Sequence, residues 1–537
     1  MTGVILITAD TLRADHLGCY GSNEVQTPNL DQFAEDATRF ESNYAASYPT
    51  VPNRLDTWSG RYNFLTRGWT SLNSEDIILP ELLAEDGILS YLIYDTPFLG
   101  TYDFTRGFSG WQRIRGHHSD RLTTDSTIDT TLPAQPHKLK KVSKVHQYLR
   151  NRFHWHYEGD YIAPRTFGTA IEWLEQNRGH DEFCLVVDSW DPHEIFDAPT
   201  QYIEQYADTE YNGDEIIYPA YGRPDYMSEE ELNHVKARYQ AKISMVDRWV
   251  GELIDAVDRL GLSDDVMIIF TSDHGHLFGE HDLQGKPTGS LGKLYQESTW
   301  TPLLIRHPDE KADAQRVENI TQPPDLMPTI LDYFDLPIPK SVHGSSLLPH
   351  LFEEDYSIRD YAFTGRYPES PNTQAKVFDG WAGPADTISP ITVTGSRWSL
   401  IIHPDKKKSE LYNLNKDPDQ EVNVLSDYPE IAEKLRRKYI GFAQDHKVCD
   451  RMIDPFSGGS YTDDAFDMEQ DLYIFRDGTG KRFAHLSESL ARARQPNSSN
   501  KIKHYTFESL LAEDSSALIY LNQQYYRVED LIPAAVE

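Results

Sequence analysis

Thr50-Val51-Pro52-Asn53-Arg54 sets a hydroxyl and a guanidinium one helical turn apart and leads into Leu55-Asp-Thr-Trp-Ser-Gly60. With Pro52 near a helix start, Thr50 falls at the helix N-terminus, where free backbone N–H groups favour an anion. A hydroxyl there, with Arg54 in the first turn, is well placed to meet a tetrahedral oxyanion. Taken alone, the pentapeptide has a simpler reading, a cap followed by a surface charge. Asp10, Asp273 and His274 supply two carboxylates and an imidazole, a set suited to a divalent cation with one position left open. Such a cation would lower the pKa of a coordinated Thr50 hydroxyl and neutralise charge on a substrate. Lys286, in the loop His281-Asp-Leu-Gln-Gly-Lys286, is able to hold a substrate oxygen or leaving group, although a loop lysine by itself is ordinarily solvated.

The elements that must position these residues alternate between strands and helices, the pattern of a parallel α/β sheet. Gly3 to Thr8 is a buried strand ending at Asp10, Leu89 to Tyr94 ends at Asp95, and Phe183 to Val187 precedes Asp188-Ser-Trp-Asp-Pro-His193. Val266 to Thr271 ends at Asp273-His274-Gly275. Thr27-Pro28 predicts a helix with Thr27 as N-cap, and Ser228 with Glu231 predicts a capping box for a helix to about Leu260. Asp10, His193, Asp273 and His274 thus all lie just beyond strand C-termini, the edge where open α/β sheets bind ligands. After residue 390 the pattern changes: Ile391 to Ile402 reads as a hairpin and Glu410 to Leu414 as a further strand. The expected organisation is a main domain over 1–385, a small antiparallel sheet over 386–450, and an extension over 451–537 with an acidic loop (Asp463, Asp464, Asp467, Glu469, Asp471).

The chain has 537 residues with 51 Lys+Arg against 85 Asp+Glu, a net charge of −34 that disfavours binding to a phosphate backbone or an anionic membrane. Hydrophobic residues at 39% and aromatics at 12% are enough for a large core, which excludes general disorder. The acidity fits a protein kept soluble at high salt. Cys19, Cys184 and Cys449 match no disulfide framework or zinc motif, and Cys184 reads as a small core residue. No signal peptide and no run of roughly 18 apolar residues is evident, so a cytoplasmic, non-spanning protein is expected. Against the overall charge, His137 to Arg152 carries six Lys/Arg and no acid, with Leu139, Val142, Val145 and Leu149 at helical spacing. Its basic face either steers an anionic substrate or pairs with acidic neighbours, and the second is the simpler reading.

Thr8-Ala-Asp10-Thr-Leu-Arg-Ala-Asp-His-Leu-Gly-Cys-Tyr-Gly21 and Thr27-Pro-Asn-Leu-Asp31 resemble the opening of the sulfatase family in the alkaline phosphatase superfamily. Ser272-Asp-His-Gly275, Gly279-Glu-His281, Lys286, Tyr295-Gln-Glu-Ser298, Thr301-Pro-Leu-Leu304 and Asp325-Leu-Met-Pro-Thr-Ile-Leu331 continue the resemblance. Gly344-Ser-Ser-Leu347, Glu410-Leu-Tyr-Asn-Leu414, Asp417-Pro418 and Asn423 carry it to about residue 425. The site pattern is most similar to the arylsulfatase and phosphonate monoester hydrolase group. The resemblance implies an alkaline-phosphatase-like sandwich and one divalent metal, calcium in most relatives and manganese or zinc in some, on Asp10, Asp273 and His274. It puts Thr50 where sulfatases carry the Cys or Ser that becomes formylglycine, and Arg54 on the arginine that steadies that residue. It also puts His193 on a histidine that meets the substrate's oxyanion or leaving oxygen, and Lys286 on the lysine of phosphonate monoester hydrolases.

Four departures qualify the resemblance. Thr11 stands where a second aspartate is common, His274 where Asn is more usual, and Thr96-Pro-Phe98 in the region of a Lys-Trp-His motif. The fourth is the nucleophile position, because the methyl of Thr50 prevents oxidation to the formylglycine aldehyde. Three uses of the site are therefore expected to compete. One is sulfate-ester hydrolysis with Thr50 at the formylglycine position. Another is phosphodiester or phosphonate hydrolysis through a covalent phosphothreonine. The last is binding of an anionic glycan, such as a sulfated one, without turnover.

Overall fold

The computed structural model describes residues 2–287, 291–309, 315–352, 356–367, 389–448, 453, 456–457 and the strands after 470. Among the described residues fourteen strands precede residue 414. They are β1 (Thr2–Ala9), β2 (Thr38–Asn43), β3 (Leu89–Tyr94), β4 (Gly110–Arg113), β5 (Glu182–Ser189), β6 (Val266–Thr271), β7 (Leu277–Phe278) and β8 (Gln284–Gly285), then β9 (Leu303–Arg306), β10 (Arg316–Thr321), β11 (Tyr361–Thr364), β12 (Ile391–Gly395), β13 (Trp398–Ile402) and β14 (Glu410–Asn413). Eight of them form one sheet in the order β10-β2-β9-β6-β1-β5-β3-β4. β1 runs parallel to β5 and β6, β3 to β4 and β5, and β10 to β2, while β9 is antiparallel to both its neighbours. This is the expected mixed, mostly parallel sheet.

Alternation along the strands sorts the core into two layers. Ile5, Ile7, Leu185, Val187, Ile268 and Phe270 face the helices Ile162–Asn177 and Glu229–Arg259. Val4, Leu6, Cys184, Val186, Met267 and Ile269 face the helices Thr50–Ser59 and Leu326–Tyr333. Cys184 is fully buried there, and Cys449 lies outside the described residues. The Glu229–Arg259 helix carries the expected reciprocal cap between Ser228 and Glu231. Thr27 is different: its hydroxyl accepts from Gly18 N–H and donates to Asp31, so the helix at Pro28 begins without a side-chain cap.

The register explains why distant residues meet. Ala9 pairs with Ser189 and Thr8 with Thr271, so β1, β5 and β6 end at one level of the sheet. Asp10, the Asp191–Glu194 loop and Asp273-His274 leave that edge side by side. Gly275 follows because a Cβ there would come within 1.9 Å of the Glu297 carbonyl oxygen.

A four-stranded antiparallel sheet, β11-β12-β13-β14, forms the smaller subdomain. Its first strand, Tyr361–Thr364, comes ahead of residue 386. Residues 1–368 and 389–457 make one compact unit. A second unit contains five further strands, Asp471–Arg476, Arg482–His485, Lys503–Thr506, Leu518–Leu521 and Gln524–Arg527. Of the acidic loop expected there, Asp463, Asp464, Asp467 and Glu469 lie outside the described residues. Among the described residues no helix is long and apolar enough to cross a membrane.

Candidate active site

Thr50 opens the helix Thr50–Ser59, with Pro49 as the capping residue, and the whole helix is buried at the strand edge. The Thr50 Oγ1 lies 3.2 Å from His274 Nε2, while His274 Nδ1 lies 3.0 Å from the Gly275 carbonyl. A proton on Nδ1 satisfies that carbonyl, which leaves Nε2 as the lone pair that accepts from Thr50 or holds a cation. Burial pushes His274 down to about 4, so the ring is neutral near pH 7. Asp10, Asp273 and His274 are buried, and one donor atom from each lies within 4.8 Å of the others. The Asn53 side-chain amide donates to the Asp273 carbonyl at 2.8 Å and fixes the turn that carries this pair.

Arg54 is not a surface charge: it is 3% exposed and surrounded by carboxylates. Nε and Nη2 make a two-pronged pair with Asp188, each bond 3.0 Å long. Nη1 contacts Asp273, lies 2.9 Å from Asp10 Oδ2 and reaches the Thr50 carbonyl at 3.4 Å. Burial opposes the guanidinium charge, but Asp188, Asp273 and Asp10 outweigh it and hold the proton more tightly. The same contacts lower Asp273, where Arg54 and His274 overcome burial. Asp10 moves the other way, raised by burial and then by the Asp273 charge.

Three carboxylates around one guanidinium leave two negative charges uncompensated in a buried site, a costly state unless something neutralises them. Although near Arg54, Asp10 Oδ2 makes no hydrogen bond. A divalent cation on Asp10, Asp273 and His274 would answer both demands, one for charge and one for coordination. The residues present fit such an ion.

Thr11, in the place of the second aspartate, organises this set. Its N–H donates to Asp273 Oδ1 at 2.9 Å and its hydroxyl to Asp10 Oδ1 at 2.7 Å. The Tyr239 hydroxyl donates to its carbonyl at 2.7 Å. These bonds hold a β-branched residue at φ 68°, a left-handed conformation that costs about 1–3 kcal/mol. Lys286 then donates to the Thr11 hydroxyl at 3.1 Å and to Glu194 Oε2 at 3.2 Å.

Glu194 was not singled out by the sequence, yet it is fully buried at the centre of the polar network. Its carboxylate accepts from Tyr221 and Lys286 and lies 2.8 Å from His193 Nδ1 and 3.8 Å from His276 Nδ1. Burial opposes its charge, but His193, Lys286 and His276 hold it well below the usual carboxylate range. Burial also pushes His193 down to about 3, so near pH 7 its neutral ring turns Nδ1 to the Glu194 carbonyl and carboxylate, each 2.8 Å away, and Lys286 gives the charge. The His193 ring stacks on Trp190 at 3.6 Å, and with Nδ1 committed to Glu194 it presents an acceptor at Nε2. The signal for Glu194 was its place next to His193 at a strand end. Thr96, from the region that lacks the Lys-Trp-His motif, donates instead to Asp188 behind Arg54.

Residues 2–336 match the family described as Sulfatase, and residues 279–444 match the one described as N-sulphoglucosamine sulphohydrolase, C-terminal. Arylsulfatase K of Canis lupus familiaris is 26% identical over 468 residues, covering 81% of this chain and 81% of that protein. The phosphonate monoester hydrolase of Agrobacterium radiobacter superposes with a TM-score of 0.65 at 22% identity, over 83% of this chain and 96% of that one. A structure solved in complex with its substrate D-glucosamine-2-N,6-O-disulfate gives 0.61 at 18% identity, over 85% and 99%. The family match spans most of the chain and both strand-end motifs that build the pocket, Asp10 and Asp273-His274, so the chain belongs to the sulfatase family of ester hydrolases.

Proposed function

We propose that the chain hydrolyses a sulfate-type ester of an anionic glycan at the Thr50 centre. The observation that carries this reading is Thr50 Oγ1 at 3.2 Å from His274 Nε2, inside the Asp10–Asp273–His274 set and one link from Lys286 through Thr11. Asp10, Asp273 and His274 would hold one divalent ion, calcium by family resemblance, whose chemistry is to polarise the ester and favour ionisation of a nearby hydroxyl. Arg54 holds the carboxylates and the Thr50 carbonyl in place. Two of the three Lys286 N–H donors go to Thr11 and Glu194, which leaves the third for a substrate oxygen. An anionic ester beside His193 raises the proton affinity of its Nε2, which takes up a proton from solvent as the ester binds and gives it to the departing alcohol oxygen.

Thr50 itself favours a second reading. Its methyl forbids the aldehyde route, so turnover requires attack by Oγ1 and a second displacement by water, which phosphoryl groups tolerate better than sulfuryl groups. A phosphodiester or phosphonate monoester is therefore the competing substrate, and an anionic glycan bound without turnover is the third. The division at 385 and 450, a cytoplasmic location and a high-salt milieu remain part of the proposal, the last supported by the net charge of −34.

The test is a panel of aryl sulfate, aryl phosphate, phosphodiester and phosphonate substrates with Ca²⁺, Mn²⁺ or Zn²⁺ at low and high salt. Sulfate-ester turnover that disappears in Thr50→Ala with metal retained supports the first reading. A phosphate adduct on Thr50 by intact mass supports the second. No turnover of any ester removes the hydrolase reading.

A further inference from the structure

The loop that carries His193 and Glu194 is held by one side chain of the helix Glu229–Arg259. Lys242 is 3% exposed in the middle of that helix, between Ala241 and Ile243, where an ammonium is costly unless it is paired. Its Nζ lies 2.5 Å from Asp191 Oδ1 and donates to the His193 carbonyl at 2.6 Å and to the Ile195 carbonyl at 2.9 Å. Its three N–H donors thus meet three oxygens of one short loop, and none is left for a ligand. The carbonyl between the two is held as well. Glu194 accepts there from Trp190 Nε1 at 2.8 Å, while the Trp190 N–H donates at 2.5 Å to Asp95, the residue after β3.

The same helix holds both loops that give Lys286 its partners. The Tyr239 hydroxyl, three residues before Lys242, donates to the Thr11 carbonyl at 2.7 Å and accepts from the Arg13 N–H at 3.1 Å. Residues three apart on a helix are neighbours. Tyr239 therefore holds Thr11 while Lys242 holds the backbone on both sides of Glu194, and Thr11 and Glu194 are the two acceptors of Lys286. The loop backbone also carries His193, whose Nδ1 turns to Glu194 and whose ring stacks on Trp190. A shift of residues 191–195 would move the His193 ring and the Glu194 carboxylate together.

We propose that Lys242 is a positioning residue of the Thr50 centre: by holding the carbonyls on either side of Glu194 it sets His193 Nε2 for the departing alcohol oxygen and keeps the Glu194 carboxylate on Lys286. The catalytic half of this inference rests on the hydrolase reading above, and the geometric half does not. All three Lys242 donors are used within the loop, so the residue acts through His193 and Glu194 and not on the ester. A misplacement of about 1 Å in such a loop is enough to cost about 10² in rate.

The test compares Lys242→Met with the parent on 4-nitrophenyl sulfate, whose leaving group departs without a proton, and on glucosamine-6-sulfate, whose alcohol oxygen needs one. On glucosamine-6-sulfate kcat is expected to fall about 10²-fold with KM within about twofold, and on the aryl ester kcat should fall by no more than about threefold. In a His193→Gln background the same substitution should cost no further kcat on glucosamine-6-sulfate, because both act on one step. Equal losses on the two esters, or a full further loss in His193→Gln, overturn the positioning role. Lys242→Met leaves Asp191 buried without its counter-charge, so Lys242→Met with Asp191→Asn is measured beside it and replaces it if the single variant does not fold. Histidine ¹³Cε1–¹H NMR, with the His193 signal assigned from His193→Gln, keeps the two proposals separable. The ring stacked 3.6 Å from Trp190 gives an upfield-shifted signal that is expected to move when Lys242 is replaced. A signal that moves while no ester is turned over supports the positioning role and removes the hydrolase reading. A signal that stays in place while hydrolysis is found overturns the positioning role alone.

Discussion

Replacing Asp10 by Asn should reverse the stability order of parent and variant according to whether a divalent cation is present. Asp10, Asp188 and Asp273 surround the single guanidinium of Arg54, so above the raised Asp10 pKa, with all three ionised, two negative charges are uncompensated when the site holds no cation. Under chelation Asp10→Asn removes one of them, while the amide oxygen of the new side chain still accepts from the Thr11 hydroxyl, and the variant should melt above the parent. With the cation the order inverts, because the variant has lost a ligand. A cation at a hundredfold its dissociation constant adds about 2.7 kcal/mol to the parent. With an unfolding entropy of about 2.1 cal/mol/K per residue, that is roughly 3 °C for a unit of this size. The assay is thermal unfolding by calorimetry in chelator and in millimolar Ca²⁺, Mn²⁺ or Zn²⁺. The pH dependence adds an internal control. Asp10 is raised above its ordinary 3.8 by burial and then by Asp273, so its contribution is fully present below 3.8 and is lost as pH rises through the raised value. The chelated parent should therefore weaken as pH rises, and the cation should abolish that weakening. An unchanged order of parent and variant with all three cations would refute the charge argument.

Lys286→Ala should lower kcat by roughly 10²–10³, about 2.7–4 kcal/mol of lost oxyanion stabilisation, read on whichever ester the panel identifies. Thr11→Val keeps the shape but removes the hydroxyl that joins Lys286 to Asp10, and should cost about 1–3 kcal/mol in denaturant unfolding; a neutral result would mean the link carries no stability. Glu194 is held well below its ordinary 4.5, so its contribution is present above 4.5 and lost as pH falls through the folded value. Glu194→Gln should be less stable than the parent at pH 7, with the gap closing in acid, and a pH-independent gap would count against an ionised Glu194.

Local sequence was sufficient for the strands and for the edge on which the site lies. Val266–Thr271 and Leu89–Tyr94 are legible as short apolar runs ended by Asp, and the Ser228–Glu231 cap as a local hydrogen-bond pattern. Such signals need only neighbouring residues. The family resemblance likewise picked out Asp10, Thr50, Arg54, His193, Asp273, His274 and Lys286, since it resides in motifs. Partnership across the chain was another matter. Arg54 became a buried counter-charge because β1, β5 and β6 end in register, which brings Asp10, Asp188 and Asp273 to one guanidinium. Glu194 became the partner of Lys286, and Lys140 turned toward Tyr221, through backbone pairing between segments far apart in sequence. Periodicity records whether a residue is buried, but the charges it meets there depend on register and packing, which exist only once the chain has folded.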